Sequence, residues 1–244
     1  MEAFSFLFRN RTYRVASTPP SDLSIPIVEL GGPEAYHLPK PVFTPFKAGD
    51  FVGSIEEGGN VNCALISFYP HGSGTHTESL WHVSNEGIAP YRIPIPVFIP
   101  AFVATVDPQN GVIDTLPNIF WENHTKVAAL IVRTLPNNKQ KKSRIHSNTN
   151  PPYFCHQLMK KLAEHSLLHL LTDLPSVDPE IDGGKLLAHK AFFNNRKNAT
   201  ITELIYVPNS IEDGLYGLNL QLPAIETDAV PSRPLLHSLL ENEL

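Results

Sequence analysis

Cysteine, charge and long apolar runs are all scarce in this chain of 244 residues. Its two cysteines do not make a disulfide framework, so a compartment that keeps thiols reduced is expected. No stretch is long enough to span a bilayer, and the first residues lack the basic and apolar regions of a signal peptide. We therefore expect a cytoplasmic protein with no membrane partner.

The charge balance argues against another class of partner. Charged residues make up 18% of the sequence, and the formal net charge is −5. Proteins that bind nucleic acid favour a basic surface, so no nucleic-acid partner is expected. Only the segment from Lys139 to Arg144 is locally basic, and a solvated loop is the expected structure there.

The pattern of apolar residues predicts a mixed α/β protein. The 23 prolines are spread along the chain, which favours many short elements over a few long helices. The best helix is predicted at residues 151–166, and the tail from Pro231 is expected to be short. No linker is evident, so residues 1–244 are expected to form a single domain. Strands are predicted at residues 22–27, 61–69, 97–106, 127–133, 167–172, 199–207 and 216–222.

Three of the eleven histidines and one glutamate fall close together, at His71, His76, Glu78 and His82. Imidazole nitrogens and carboxylate oxygens are ligands that suit zinc, manganese or ferrous iron. His76 and Glu78 are two residues apart, so both point to one face of an extended segment. The glycines before His76 let the backbone bend enough to bring His71 to the same ion. A surface loop is the alternative for any single histidine, but the cluster, just after a predicted core strand, favours a divalent metal site.

The run from Gly74 to His82 resembles the signature of cyclase-like metal-dependent hydrolases, His-x-Gly-Thr-His-x-Asp-x-Pro-x-His. This family includes bacterial kynurenine formamidase and isatin hydrolase. Glu78 stands where the family usually has aspartate, and Leu80 stands where it has proline. His71 lies five residues before His76 instead of four, so the loop between them is one residue longer.

The resemblance extends over most of the chain. Asp22-Leu-Ser resembles the family's opening strand, and the segment from Asp173 to Asp178 resembles its turn after the βα unit. His189 and Glu203 resemble the distal pair that completes the metal site. The resemblance implies a swivelling β/β/α fold, with a mixed sheet and few helices, and a homodimer or homotetramer.

The resemblance also implies the chemistry, which is metal-dependent hydrolysis of a small amide or cyclic amide. Arylformamides would be the first substrate type and isatin-like lactams the next. A metal-activated water would attack the carbonyl, with His82 as the acid and base. Glu203 or Glu78 would take the proton instead if it is not bound to metal, and His82 would then be a ligand. One or two zinc or manganese ions would be held by His71, His76, Glu78, His189 and Glu203.

A serine hydrolase of the common type is excluded, because no Gly-x-Ser-x-Gly elbow is present. A second function stays open beside metal-dependent hydrolysis. The alternative to a metal-dependent amidohydrolase is a protein that keeps the fold but has lost turnover and serves as a binding or assembly module. The aromatic residues Phe68, Tyr69, Trp81 and Tyr36 are each expected in the core, with the wall of a pocket for a planar substrate as the alternative.

Overall fold

The computed structural model describes residues 5–8, 11–123, 127–165 and 167–241, and these residues contain four α-helices and eighteen β-strands. The helices are α1 (Pro70–Ser73), α2 (Asn118–Asn123), α3 (His156–Glu164) and α4 (Leu187–Phe193). The first nine strands are β1 (Ser5–Phe8), β2 (Arg11–Val15), β3 (Ser21–Asp22), β4 (Val42–Pro45), β5 (Lys47–Ala48), β6 (Phe51–Val52), β7 (Ala64–Ser67), β8 (His76–Ser79) and β9 (Ile99–Val106). The other nine are β10 (Val112–Ile113), β11 (Ala129–Thr134), β12 (Tyr153–Phe154), β13 (His169–Thr172), β14 (Thr200–Glu203), β15 (Gly214–Asn219), β16 (Ala229–Pro231), β17 (Leu235–His237) and β18 (Leu239–Glu241).

A mixed nine-stranded sheet forms the centre of the molecule, in the order β16-β8-β14-β13-β11-β9-β15-β17-β3. Strands β9, β11, β13 and β14 are parallel to one another, and β8 and β15 flank them in antiparallel pairs. The predicted mixed α/β fold with few helices is therefore confirmed.

Both faces of this sheet are buried, which explains the continuous apolar runs in the sequence. Along β9, Phe102 and Ala104 belong to one apolar cluster, whereas Ala101 and Val103 belong to the other. Helices α3 and α4 cover the first cluster, because their apolar sides contribute residues such as Leu162 to it. The helix predicted at 151–166 begins at His156, after Cys155 accepts the Leu158 N–H through its sulfur.

Three expectations from the sequence are wrong. The segment 61–69 does not enter the core, because within the described ranges β7 pairs with β4 alone and all four of its residues are exposed. The residues after Pro231 are no loose tail, since β17 pairs with β15 and β3 in the main sheet. The basic segment at 139–144 is not fully solvated, because Lys141 is buried against Asp173. Among the described residues no helix has the length and apolar character to cross a membrane.

Candidate metal centre

Strand β8 is the rigid base of the histidine cluster. It lies between β14 and β16, so that Glu78 is paired with Ile201 on one side and Ala229 on the other. All four of its residues are buried. Because alternate side chains of a strand share a face, His76 and Glu78 point the same way, as their spacing predicts.

The loop before β8 is fixed by Thr75. Its N–H donates to Ile25 O at 3.0 Å, and its hydroxyl accepts the Ile25 N–H at 2.7 Å and donates to Leu204 O. Gly74 is needed beside it, because a Cβ there would lie 2.9 Å from Ile25 O. The carbonyl of Gly74 accepts a hydrogen bond from His76 Nδ1 at 3.0 Å. This bond leaves His76 Nε2 as the nitrogen that faces the cluster.

His82 reaches the cluster through a turn and not along an extended strand. The residues Leu80–His82 form one turn of 3-10 helix, capped by Ser79, whose hydroxyl accepts the Trp81 N–H at 3.2 Å. The turn places His82 Nε2 3.8 Å from Glu78 Oε2. The contact between His82 and Glu78 therefore arises from the turn after β8 and not from the alternation of side chains along the strand.

The distal residues come from two other elements. Glu203 is the last residue of β14, and its Oε1 accepts the Val177 N–H at 3.0 Å. His189 lies on α4 and is held by Asp178, whose Oδ2 is 2.6 Å from His189 Nδ1. The same carboxylate accepts the backbone N–H groups of Ala188 and His189 at the start of the helix. His189 Nε2 is thereby directed toward the cluster.

The structure brings all five predicted ligands together. His71 Nδ1 is 3.5 Å from Glu78 Oε2, and His76 Nε2 is 3.4 Å from Glu203 Oε2. His189 Nε2 lies 2.9 Å from Glu78 Oε1 and 3.6 Å from Glu203 Oε1. The extra residue before His76 does not carry His71 away, because helix α1 turns its ring back over the cluster. The role of each residue as a ligand stays a prediction.

The atoms in this cluster that lack a hydrogen bond fit a metal cation. His76 Nε2 and both carboxylate oxygens of Glu78 are buried and approach other side chains of the cluster, but none of these contacts with the described residues has the geometry of a hydrogen bond. Buried polar atoms without a hydrogen bond are rare and costly, so each needs an explanation. His71, His76 and Glu78 offer donor atoms within 4.8 Å of one another, and so do Glu78, His82 and His189. Glu78 belongs to both sets, as a carboxylate that bridges two ions would.

Asp228 is a site residue that the sequence did not reveal. It lies just before β16, and its Oδ2 accepts hydrogen bonds from His71 Nε2 at 2.9 Å and from His82 Nδ1 at 3.0 Å. One oxygen thus fixes both rings, so that the other nitrogen of each ring faces Glu78. Carboxylates that hold metal-binding histidines in this way are common around metal sites. Asp228 follows His71 by 157 residues, so no spacing pattern points to it.

The carboxylates raise the proton affinity of the histidines around them. Burial lowers the pKa of His82, but Glu78 and Asp228 outweigh it, so its pKa lies above the usual value. Burial also lowers the pKa of His189, but Glu78, Asp178 and Glu203 outweigh it, so its pKa lies well above the usual value. Burial opposes ionisation of Glu203, yet the neighbouring histidines hold its pKa at about 2. A cation that binds here therefore displaces protons from the histidines.

A cavity of about 330 Å³ opens onto this cluster. His71, His82, His189 and Glu203 form its floor, and Tyr36 stands in its wall. The expectation that the four aromatic residues lie in the core is wrong, because Tyr36 and Tyr69 are exposed and Phe68 and Trp81 are only partly buried. Of the four, Tyr36 is the one that lines this cavity. Its hydroxyl donates to Pro175 O at 3.0 Å, which holds the ring in place. The volume is that of a site for a small molecule.

Comparison with known proteins decides the family. A family model named Cyclase matches residues 21–179, which is more than half of the chain. The chain belongs to the Cyclase family. The membership predicted from the run between His71 and His82 is therefore confirmed.

The Cyclase chain resembles curated enzymes along most of its length. It is 30% identical to a kynurenine formamidase of Bacillus cereus over 179 residues, which cover 71% of this chain and 78% of the relative. It is 28% identical to the kynurenine formamidase of Bacillus cytotoxicus over 187 residues, which cover 75% of this chain and 84% of that protein.

Solved structures share the fold of this Cyclase protein. An isatin hydrolase bound to the product analogue thioisatinate aligns with a TM-score of 0.65 and 13% identity, covering 91% of this chain and 92% of the other. A protein described as a potential metal-dependent hydrolase with cyclase activity aligns with a TM-score of 0.63 and 20% identity, covering 89% and 96%. The fold expected from the family resemblance is confirmed.

Proposed function

We propose that this protein is a metal-dependent amidohydrolase that acts on a small amide or cyclic amide. The observation that carries the proposal is that His76 Nε2 and the two Glu78 oxygens are buried without a hydrogen bond among the described residues. They lie against His71, His189 and Glu203, which line the cavity. Kynurenine formamidases among the relatives and an isatin hydrolase among the structural neighbours support the reaction class. The chain is thus an enzyme of the amidohydrolase type.

The residues present would hold zinc or manganese. His71, His76, Glu78, His189 and Glu203 would be the ligands, with Glu78 able to serve two ions. This mixture of imidazole and carboxylate donors suits either metal. A bound divalent cation lowers the pKa of a coordinated water and polarises a carbonyl oxygen.

His82 is the residue best placed to move the proton. It lies at the mouth of the cluster, where 26% of its side chain is exposed, whereas Glu78 and Glu203 are almost completely buried. Asp228 accepts the Nδ1 proton, so Nε2 is free to take a proton from the attacking water and return it to the leaving nitrogen. Glu203 is less suited, because its Oε1 already accepts the Val177 N–H.

The cavity suits a small planar substrate. Tyr36, Leu38 and Leu186 give it apolar walls above the polar floor. A planar amide would lie between these side chains, with its carbonyl directed toward the predicted metal ligands of the floor and next to His82. N-formylkynurenine and isatin are therefore the first compounds to assay.

Replacing His82 tests the proposal and separates two roles of the residue. In His82→Ala, bound metal is expected to stay at the wild-type level while kcat falls by about 10²- to 10⁴-fold. The matched control is His165→Ala, which replaces an exposed histidine away from the cluster and should keep both the bound metal and the wild-type kcat. Loss of metal in His82→Ala would make His82 a ligand. Wild-type protein that binds metal but hydrolyses neither compound would favour the assembly module instead.

We also propose that the protein is a homo-oligomer. The ribbon of β4 and β7 exposes large apolar side chains, with Leu65 68%, Ile66 54% and Val42 52% exposed. Val42 and Leu65 share one face of the ribbon, because Val42 is paired with Ser67 and alternate side chains of a strand lie on the same face, whereas Ile66 lies on the other. Exposed apolar side chains that share a face are typical of an interface between subunits. Sedimentation analysis should show a dimer or tetramer for the wild type and a smaller species for Leu65→Lys. A monomeric wild type would contradict the proposal.

A further inference from the structure

A second cavity, of about 420 Å³, lies at the carboxyl ends of β11 and β13. Thr134 and Asp173 form its floor, and the segment containing Lys141, Arg144 and His146 forms one side. None of the five predicted metal ligands is among the described residues that line it. The carboxyl ends of parallel strands are a common place for a ligand.

His146 is the unexplained residue of this cavity. Only 4% of its surface is exposed, and neither ring nitrogen has a hydrogen-bond partner among the described residues. Its backbone is fixed, because its N–H donates to Glu34 O at 2.7 Å and its carbonyl accepts the Thr149 N–H at 3.1 Å. Burial, with Arg144 nearby, lowers its pKa to about 4. The neutral ring thus offers one donor and one acceptor that the fold leaves unmet.

Arg144 supplies the free positive charge. Lys141 is already neutralised, since its Nζ lies 2.7 Å from Asp173 Oδ2 and also donates to Thr134. The side chain of Arg144 is half-buried in the cavity wall and has no ion pair or hydrogen bond with the described residues. Because a guanidinium binds carboxylates through two parallel N–H groups, the cavity carries an unused carboxylate receptor.

We propose that this cavity binds a small monocarboxylate with a flat apolar body. The carboxylate pairs with the Arg144 guanidinium, and the N–H of His146 donates to it. Leu135, Pro152 and Leu174 give the apolar body its walls. Because Lys141 and Asp173 neutralise each other, Arg144 leaves one positive charge for the ligand among the described residues of the cavity, so a dianion such as phosphate is a poorer ligand than a monocarboxylate.

One narrow cleft separates this site from the cavity over the metal centre. His146 and the two prolines Pro151 and Pro152 also line a narrow cleft whose other wall includes Tyr36 and Ser176. Those two residues in turn line the cavity over the metal centre. The carboxylate site and the metal centre thus border the same narrow cleft, and none of the described residues that line the carboxylate site is a predicted metal ligand.

Calorimetric titration with sodium benzoate tests this proposal. Wild-type protein, with its metal, should bind benzoate saturably, and Arg144→Gln should bind it at least tenfold more weakly. Lys139→Gln is the matched control, because it removes an exposed cation from the same loop without touching the cavity, and it should bind as the wild type does. Inorganic phosphate should not displace the bound benzoate.

A second variant tests the proposal in case Arg144→Gln does not fold. His146→Phe keeps an aromatic ring in the cavity but removes both nitrogens, and it should also weaken benzoate binding. Absence of saturable binding by the wild type would overturn the proposal. Wild-type affinity in Arg144→Gln would also overturn it, because benzoate would then be bound at the metal centre. Tighter binding of phosphate than of benzoate would do the same.

Discussion

Shortening Glu78 by one methylene should damage the metal centre, even though the family resemblance makes aspartate the usual residue there. In Glu78→Asp the carboxylate withdraws by about 1.5 Å, the length of one carbon–carbon bond. Metal–oxygen distances tolerate shifts of only about 0.2 Å. The backbone cannot follow the shorter side chain, because Glu78 is paired with Ile201 and Ala229 on its two sides.

The size of the loss follows from the linkage between binding and stability. At a metal concentration 100 times its Kd, binding stabilises the folded protein by about 2.7 kcal/mol. If Glu78→Asp weakens binding by about 100-fold, only about 0.4 kcal/mol remains at the same concentration. For a chain of this size 1 kcal/mol shifts Tm by about 2–4 °C. The metal-induced shift should therefore fall from about 5–11 °C to about 1–2 °C.

Differential scanning calorimetry with and without added metal measures this shift for each protein against its own metal-free form. Glu226→Asp is the matched control, since Glu226 is an exposed residue that pairs with Arg92 and should keep the full shift. A full shift in Glu78→Asp would refute the reasoning, because the Glu78 carboxylate would then not be a ligand.

Three smaller predictions follow from single residues. Asp228→Ala should weaken metal binding by about 10- to 100-fold in a competition titration. Asp228→Asn should lie between this variant and the wild type, because its amide oxygen still accepts a hydrogen bond. Equal metal affinity in all three proteins would contradict this prediction. Burial, with Arg196 nearby, lowers the pKa of His169 from 6.5 to about 4 in the folded protein. Between pH 6.5 and pH 4 the imidazole is therefore protonated in the unfolded chain but not in the folded one, so the free energy of unfolding falls as the pH drops through this range. Urea unfolding at pH 7 and pH 4 should show that the wild type loses up to about 3 kcal/mol more than His169→Gln, and parallel losses would count against this cause. Thr75→Val should lower the free energy of unfolding by about 1–3 kcal/mol, because it leaves the Ile25 N–H without its acceptor. An unchanged urea midpoint would show that this hydrogen bond does not stabilise the loop.

The sequence was most informative where a local pattern decides the structure. The apolar runs that became β9 and β11 are long and rich in branched side chains, and both lie at the centre of the sheet. The spacing of His76 and Glu78 predicts a shared face because a strand alternates its side chains. These features depend on neighbours along the chain, which the sequence displays directly.

Other features depend on contacts that the sequence does not display. Helix α4, which carries His189, is seven residues long, and the residue before it, Leu186, provides no side-chain cap. Strand β7 has the composition of a core strand, yet it lies in an exposed ribbon, because β4 is its one partner among the strands that the structure describes. Asp228 lies in a short connection, and only the pairing of β16 with β8 brings it to the histidines.

The most direct test of the central claim is a crystal structure measured at the absorption edge of zinc or manganese. Protein crystallised with the metal should show an anomalous peak bonded to His76 Nε2 and a Glu78 oxygen, at about 2.0–2.2 Å from each. A second peak on the other side of Glu78, near His189, would show that the carboxylate bridges two ions. Absence of any peak at His76 and Glu78 in metal-saturated crystals would contradict the account.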